Sequence, residues 1–236
     1  AGLATRSGLG TYLSIFIALL AGISIGMLNG VMVVYGRLPP FVATLATLAV
    51  GRGLTLVYTQ GNPISGLDDS FTFWGSRVFE IPVPLIVLVL IAAIGYFILN
   101  HAVFGLHVFA IGGGEESAHL ASVPVRRVKL SVYVISSLMA SIAGIILTAR
   151  LFSAQPNSGQ GLELDVIAAA VLGGASLAGG VGSISGTLAG AFIIGILSNG
   201  LNLLDVQSYV QQVINGLIFI IAVLLDFFIK RSKKSA

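Results

Sequence analysis

Cysteine and charge are what this 236-residue chain has least of. It contains no cysteine, which excludes disulfide bonds, thiolate nucleophiles and cysteine-based metal sites. Only 9% of its residues are charged, against roughly 25% in an average soluble domain, whereas 56% are hydrophobic. So few charges cannot cover a surface that faces water, and the mean hydropathy of +1.01 agrees. The composition therefore predicts an integral membrane protein whose surroundings are largely the lipid bilayer.

Motifs for catalysis are also missing from the sequence. None of its four lysines follows the glycine pattern of a phosphate-binding loop, so we expect no ATP hydrolysis on this chain. No carboxylate pair and no Ser/His/Asp set lies at membrane depth, so no proton or sodium relay is evident. His101, His107 and His119 share one loop but lack a metal-ligand spacing. We therefore predict a chain that is not an enzyme and holds no metal or cofactor of its own, and any uphill transport must be powered by a partner.

Long apolar runs dominate the rest of the chain. A helix that crosses a bilayer needs about 20 predominantly apolar residues. Runs of this kind cover residues 11–35, 40–58, 81–99, 130–149, 183–199 and 212–229, and a shorter segment covers 165–178. The predicted fold class is all-α: a polytopic membrane protein in a single transmembrane domain over 1–236. We expect about seven membrane segments, including one short broken or re-entrant-like helix.

Lysine and arginine gather in two places, between the third and fourth runs and in the basic tail 230–236. Because positive charge collects on the inner side of a membrane, the loop 101–129 and the C-terminus are predicted to be cytoplasmic. This topology explains the net charge of +3, so nucleic acid is not expected as a partner. It requires the segment 165–178 to traverse the membrane or nearly so, and it places the N-terminus outside. Asp226 and Lys230 have the i,i+4 spacing of an anchoring pair near the inner interface.

The loop 101–129 contains three consecutive glycines at 112–114, which should end the preceding helix. Glu115 and Glu116 then fall in the first turn of a new short helix, where acidic residues complement the positive end of the helix dipole. A short helix lying across the membrane face is suited to docking a soluble partner. These residues leave an ordinary solvated loop open as the alternative.

Other glycines lie at membrane depth. Gly173, Gly174, Gly179, Gly180 and Gly182 link the short segment to the next run. Irregular backbone is tolerated in a membrane where it is buried in protein or lines a watery cavity, and broken helices often mark a transport path. Two further stripes have small-xxx-small spacing, for which we expect helix packing instead: Gly22, Gly26 and Gly30, and Gly182, Gly186 and Gly190.

Several polar or glycine residues are candidates to line a solute pathway. They are Thr44, Thr47, Arg52, Gln155, Asn157, Gly173, Gly174 and Ser176. Arg52 has an alternative, because it is about two turns from the outer end of its run and can extend its charge to the interface. Asp165 is predicted to be the N-cap of the short segment.

Seven ordered stretches run through nearly the whole chain. They read LPPFVATLAT at 38–47, GRGLT at 51–55, AIGGGEESAHL at 110–120, LFSAQPN at 151–157, ELDVIAAAVLGG at 163–174, GTLAG at 186–190 and NGLNLL at 199–204. In these stretches the chain resembles the permeases of monosaccharide ABC importers, the ribose, galactose and xylose group. It is more distantly similar to branched-chain amino-acid permeases.

The resemblance implies a permease subunit of an ATP-binding-cassette importer that moves a monosaccharide or related polar solute across a bacterial inner (cytoplasmic) membrane. A branched-chain amino-acid permease, or a secondary transporter or channel without an ATPase, is the alternative. The implied partners are a separate ATPase subunit that holds ATP and magnesium, a periplasmic or lipid-anchored sugar-binding protein, a second permease copy or homologue, and the lipid bilayer. In such importers a short cytoplasmic helix rests in a groove of the ATPase, which assigns that coupling role to Gly112, Gly113, Glu115, Glu116, Ala118 and Leu120.

The chain departs from the family pattern in two respects. Ser122 stands where the family usually has glycine, two positions after Leu120, and we expect it to stiffen the end of the coupling helix. Family members usually carry additional N-terminal spans with a Gly-Gly-Ile-Asp-Leu-Ser-type segment, and no such segment occurs in this sequence. We therefore expect this chain to be part of a permease, or the missing part to belong to another chain. No residue distinguishes one sugar from another.

Overall fold

The computed structural model of the protein describes residue 2, residue 8 and residues 10–234, without the side chains of residue 208 and residues 225–234. The predicted Asp226–Lys230 pair and the charges of the basic tail lie outside the described side chains. The helices are α1 Thr11–Val34, α2 Pro40–Thr59, α3 Asp69–Thr72, α4 Val83–His101, α5 Val103–Gly113, α6 Glu115–Leu120, α7 Val125–Arg150, α8 Leu162–Leu172, α9 Ile184–Leu203 and α10 Ser208–Lys234. A 3₁₀ turn covers Phe73–Gly75, and four two-residue strands are β1 Ile64–Ser65, β2 Arg77–Val78, β3 Ile81–Pro82 and β4 Ser153–Ala154.

Within the described residues, five helices are long and apolar enough to cross a membrane: α1, α2, α4, α7 and α9. Large apolar side chains on them stay exposed, for example Val57 at 78% and Ile196 at 71%, as expected where lipid covers the surface. The predicted all-α polytopic class is confirmed. The predicted count of seven segments is not confirmed, because α8 has 11 residues and the described apolar part of α10 is Tyr209–Leu224. At 1.5 Å per residue, α8 spans roughly half of a 30 Å hydrocarbon core.

One prediction about α8 is wrong. Asp165 is not its N-cap, because the helix begins three residues earlier at Leu162. Gly161, with φ of +87°, precedes the helix and supplies the left-handed turn into it. Glu163 and Asp165 instead lie in the first turn, where their negative charges complement the helix dipole.

The chain forms two compact units, and the first consists of Ala1–Ile91 and Pro124–Ser158. Its main helix pair is α1 against α7, and the glycine stripe of α1 makes the close approach possible. A methyl group at Gly26 would lie 2.7 Å from the carbonyl oxygen of Tyr133 and 2.9 Å from Cβ of Ser137. A methyl group at Gly22 would collide with the Ser141 hydroxyl. The predicted packing role of this stripe is confirmed.

Short elements close one end of the first unit. Strands β1 and β4 pair antiparallel, with Ile64 opposite Ala154, and so connect the segments that follow α2 and α7. Phe71 on α3 is fully buried against Ile145 and Ala149 of α7. These contacts fix the C-terminal ends of α2 and α7 relative to one another.

The second unit consists of Ala92–Val123 and Gly159–Ala236. In it α8 packs against both α9 and α10. Gly186 and Gly190 of α9 contact the main chain of α8 and of the residue that follows it, since a methyl group at Gly190 would overlap the carbonyl oxygen of Ala169 and lie 3.0 Å from the amide nitrogen of Gly173. The predicted packing role of this second glycine stripe is therefore confirmed for Gly186 and Gly190. It is not confirmed for Gly182, which precedes α9 and where a methyl group would make only an ordinary contact, 3.5 Å from Cβ of Ala175.

Candidate functional site

The predicted helix break at the three glycines is confirmed. Helix α5 ends at Gly113, Gly114 adopts an extended conformation, and α6 begins at Glu115. The Gly114 N–H donates to the carbonyl oxygen of Ala110 at 3.1 Å, and its own carbonyl accepts from the N–H of Ala118 at 2.9 Å. One residue thus ends α5 and starts α6, and both glutamates lie in the first turn of α6. The segment predicted as the loop 101–129 is accordingly mostly helical.

Helix α6 has one buried position and an exposed surface. Ala118 is only 3% exposed, whereas Leu120 is 82% exposed. Glu115 and Glu116 are exposed at the other end of the same six-residue helix. The helix is therefore anchored through a small residue and presents an apolar side chain and two carboxylates.

Helix α6 ends in a hydrogen-bonded turn around Ser122. Its N–H donates to the carbonyl of His119 at 3.0 Å, and the N–H of Val123 donates to the carbonyl of Ala118 at 3.1 Å. This pair of bonds is a Schellman motif, which ends a helix with one residue in the left-handed conformation that glycine prefers. Ser122 occupies that position with φ of +64°. The serine therefore keeps the glycine backbone geometry, and α6 ends at Leu120.

The end of α5 contacts the predicted helix break directly through glycines. A methyl group at Gly112 would overlap the amide nitrogen of Gly180 and lie 3.1 Å from its Cα. A methyl group at Gly179 would lie 2.7 Å from the carbonyl oxygen of Gly112, and one at Gly180 would lie 3.0 Å from Cα of Gly113. We call this contact between 112–113 and 179–180 the glycine junction. It joins main chain to main chain and leaves no room for a side chain at Gly112, Gly179 or Gly180.

The break between α8 and α9 is a structured loop. Gly174, with φ of +85°, ends α8 in a second Schellman motif, in which Gly174 N–H donates to Val171 and Ala175 N–H donates to Ala170, both at 2.9 Å. Ser176 N–H donates to the carbonyl of Val181 at 2.9 Å. Ser183 caps α9 by accepting from the N–H of Gly186 at 3.1 Å. The loop therefore has defined ends and a closed hydrogen-bonded ring in its middle.

The pathway candidates of the second unit fall in different parts of this loop. Gly173 packs against the main chain of Gly186 and Thr187, so it serves the α8–α9 contact. Gly174 ends α8, and Ser176 belongs to the hydrogen-bonded ring next to Gly179. The structure thus brings the candidate pathway loop and the candidate coupling residues Gly112 and Gly113 together at the glycine junction. The sequence pattern predicts the two features separately and does not predict this contact.

Two pathway candidates of the first unit lie in the N-terminal half of α2. The Thr44 hydroxyl donates to the carbonyl of Pro40 at 3.0 Å, so its proton is used within its own helix. The Thr47 hydroxyl donates to Oδ1 of Asn29 on α1 at 2.9 Å, and Asn29 is only 8% exposed. Thr47 therefore takes part in the α1–α2 contact. Asn29 was not predicted, although a single asparagine within an apolar run is a signal for a hydrogen bond between membrane helices.

A cavity of about 400 Å³, open to its surroundings rather than enclosed, lies in the first unit between α1, α2, α7 and the residues next to β1 and β4. Gln155, one of the pathway candidates, lines it. Thr55 and Thr59 of α2 and Thr148 of α7 also line it, and none of these three was predicted. Of the described residues around this cavity, neither Arg52, which is half-buried on α2, nor the exposed Asn157 is part of the lining.

Comparisons with known proteins agree with the sequence stretches. The ribose import permease protein RbsC of Bacillus subtilis is 51% identical over 88% of this chain and 64% of its own length. The Escherichia coli K12 protein of the same name is 44% identical over 89% of this chain and 67% of its own length. The E. coli L-arabinose transport system permease protein AraH is 40% identical over 88% of this chain and 63% of its length. The chain thus spans about two thirds, or slightly less, of these relatives.

No solved structure matches the chain. The family described as "Branched-chain amino acid transport system / permease component" matches residues 1–223. That match covers nearly the whole chain and includes α6, the glycine junction and the α8–α9 break. The chain belongs to this family of transport-system permease components.

Proposed function

We propose that the protein is the transmembrane permease subunit of an ABC importer that moves a monosaccharide or a related polar solute across a bacterial cytoplasmic membrane. The observation that carries the proposal is α6, a short helix that is anchored at Ala118 and exposes Glu115, Glu116 and Leu120. The relatives named for ribose, L-arabinose and D-allose cover 88–94% of this chain and support a sugar as the solute.

On this proposal α6 docks into a groove of a separate ATPase subunit, which binds ATP and magnesium. The loop 101–129 and the C-terminus face the cytoplasm, consistent with the basic residues found there. A periplasmic or lipid-anchored sugar-binding protein delivers the solute from the other side. A second permease copy or homologue completes the pathway.

Through the glycine junction, movement of the docked helix α6 can reach the loop between α8 and α9. Gly112 and Gly113 at the end of α5 are continuous with α6 and lie directly on Gly179 and Gly180. A displacement of α6 by the ATPase therefore pushes on the loop between α8 and α9. Packed contacts without gaps transmit strain rather than absorb it. We infer that this junction converts closure of the ATPase into rearrangement of the helix break.

The docking surface is tested by reversing its charge. The full-length permease is co-purified with its ATPase, carrying Glu115→Lys and Glu116→Lys together. We expect normal membrane insertion and a loss of solute-stimulated ATP hydrolysis of at least about tenfold, which corresponds to about 1.4 kcal/mol of coupling. Glu163→Lys is the matched control, because Glu163 is also an exposed glutamate in the first turn of a helix. If the double variant stimulated hydrolysis as well as the control does, α6 would not be the docking element.

A branched-chain amino-acid permease is the second candidate, favoured by the description of the matched family. Uptake assays in proteoliposomes that contain the permease, its ATPase and its binding protein separate the two. Uptake of a pentose or hexose supports the sugar proposal, whereas uptake of leucine or isoleucine alone contradicts it.

A further inference from the structure

We propose that the cavity between α1, α2 and α7 is a binding site for one neutral, polyhydroxylated solute molecule of monosaccharide size. The inference rests on the proposed function and adds a location and a chemical class for the solute. The volume of about 400 Å³ lies in the lower part of the range of small-molecule sites. It equals about a dozen water molecules at roughly 30 Å³ each, and a pentose or hexose has about as many non-hydrogen atoms.

Two hydroxyl groups of the cavity, both on α2, are arranged as acceptors. The Thr55 hydroxyl donates to the carbonyl of Gly51, and the Thr59 hydroxyl donates to the carbonyl of Thr55, both at 2.8 Å. A hydroxyl has one proton, so each of these groups can offer only lone pairs to a molecule in the cavity. Thr55 and Thr59 are one helical turn apart on α2 and therefore lie on the same side of it. A polyol presents a row of O–H donors, which such a pair of acceptors can receive.

Two more polar side chains are available to a ligand. The Thr148 hydroxyl and the Gln155 carboxamide make no hydrogen bond to the part of the chain that the structure describes. The carboxamide offers both donors and an acceptor, so it can complement a hydroxyl in either direction. Gln155 directly follows β4, and the pairing of β4 with β1 fixes where it starts. The cavity thus combines two hydroxyls on α2 that can only accept hydrogen bonds with polar groups on α7 and after β4 that can both donate and accept.

The rest of the lining determines the charge that the site accepts. Among the described residues that line the cavity, no side chain carries a charge, and the walls include Ala18, Ala21 and Ile25 of α1. A zwitterionic amino acid would find no counter-charge for either of its charges among these side chains, which is costly to the extent that the site excludes water. The C-terminal ends of α2 and α7 also lie at this side of the unit, and helix C-termini disfavour a carboxylate. A neutral polyol meets neither penalty.

The apolar walls also fit a site that must release its ligand. Conduction requires binding strong enough for entry and weak enough for exit. Five polar side chains, which include Ser141, provide orientation among mostly aliphatic walls without a dense hydrogen-bond network. The C-terminal ends of α2 and α7 belong to the side that the charge distribution places outside, where a delivered solute would arrive. The cavity is therefore an entry site in this proposal.

Filling the cavity tests the proposal. Gly144 lines the cavity and a Cβ atom there would meet no neighbour within 4 Å, so we expect Gly144→Leu to extend its side chain into the cavity. Gly195→Leu on α9 is the matched control, since Gly195 has the same open space and lies outside the cavity lining. We measure sugar uptake by proteoliposomes that contain the full-length permease, its ATPase and its binding protein. We expect uptake to fall at least about tenfold in Gly144→Leu only, with ATPase co-purification and thermal unfolding confirming that both variants fold.

A second variant keeps the test decisive if Gly144→Leu does not fold. Thr59→Val together with Gln155→Leu preserves side-chain size and removes two polar groups from the lining. We expect the KM of sugar uptake to rise several-fold while the maximal rate holds, because binding contacts are lost. Wild-type sugar uptake in both variants would overturn the cavity site and leave the proposed function intact. Wild-type protein that moves only branched-chain amino acids would overturn both.

Discussion

Replacing Gly112 by alanine adds one methyl group at the point where α5 meets the loop between α8 and α9. The new Cβ atom would overlap the amide nitrogen of Gly180 and lie 3.2 Å from the carbonyl carbon of Gly179. Both contacts are with main-chain atoms, which cannot rotate away as the end of a long side chain can. Gly179 and Gly180 also hold φ values of +90° and +77°, so the loop has few alternative conformations to adopt.

The size of the effect follows from overpacking. A methyl group forced into a well-packed contact costs about 1–3 kcal/mol. Alanine is a better helix former than glycine by about 0.5–1 kcal/mol, which offsets part of this. If the cost falls on one of two transport states, it changes the coupling between ATPase and permease by roughly 5- to 150-fold. We therefore expect Gly112→Ala to assemble with the ATPase and to lose most of its solute-stimulated ATP hydrolysis and uptake.

The neighbouring glycine is the control. A Cβ atom at Gly113 meets nothing within 4 Å, so Gly113→Ala gains helix propensity without a collision. The assay compares the two variants in proteoliposomes, with sugar uptake and ATP hydrolysis measured on the same preparation. Equal coupling in Gly112→Ala and Gly113→Ala would refute the mechanical role of the glycine junction. Loss of ATPase binding in Gly112→Ala would assign the residue to docking rather than to transmission.

Two further predictions concern stability. Ser122→Gly removes the strain of a serine in the left-handed conformation at the end of α6, so we expect about 1 kcal/mol of stabilisation and a Tm about 2–4 °C higher in detergent. Ser122→Ala is the control and should not raise the Tm. An unchanged Tm in the glycine variant would contradict the Schellman assignment. Gly26→Val places a branched side chain 2.7 Å from the carbonyl oxygen of Tyr133, and we expect at least about 2 kcal/mol of destabilisation, read as a lower Tm and a lower yield of folded protein. Gly195→Val has open space and should keep the wild-type Tm, and equal losses in both variants would argue against close α1–α7 packing.

Proline and glycine residues at helix boundaries and packed helix faces predict much of the helical pattern from the sequence. Pro40 stands at the first position of α2, where its missing N–H costs nothing. The glycines at 112–114 predict the end of α5 and the start of α6, and the spacing of Gly22 and Gly26 predicts a packed helix face. Each of these signals depends on conformational rules that act within one or two helical turns. Such rules can be read from neighbouring residues alone.

Contacts between distant segments are not encoded in this way. The glycine junction joins residues far apart in sequence, and glycine has no side chain whose chemistry would reveal its partner. Thr47 was predicted to line a pathway, but its partner Asn29 depends on how α1 and α2 come together. Thr55 and Thr59 have the spacing of hydroxyls that bond to their own helix, so the cavity beside them is visible only in the folded unit. The start of α8 was misplaced because the left-handed turn at Gly161 gives no side-chain signal.

In the proposed permease, the residues that transmit movement to the membrane differ from the residues that select the ATPase partner. The glycine junction between 112–113 and 179–180 is made of main-chain atoms. The exposed side chains of α6 contribute nothing to that contact, so mutation can alter them without disturbing it. On the proposed function, a duplicated permease can evolve a preference for a different ATPase by changing Glu115, Glu116 or Leu120 alone. Exchanging α6 between related permeases should then change which ATPase subunit binds. The movement that the glycine junction passes to the α8–α9 loop should stay the same.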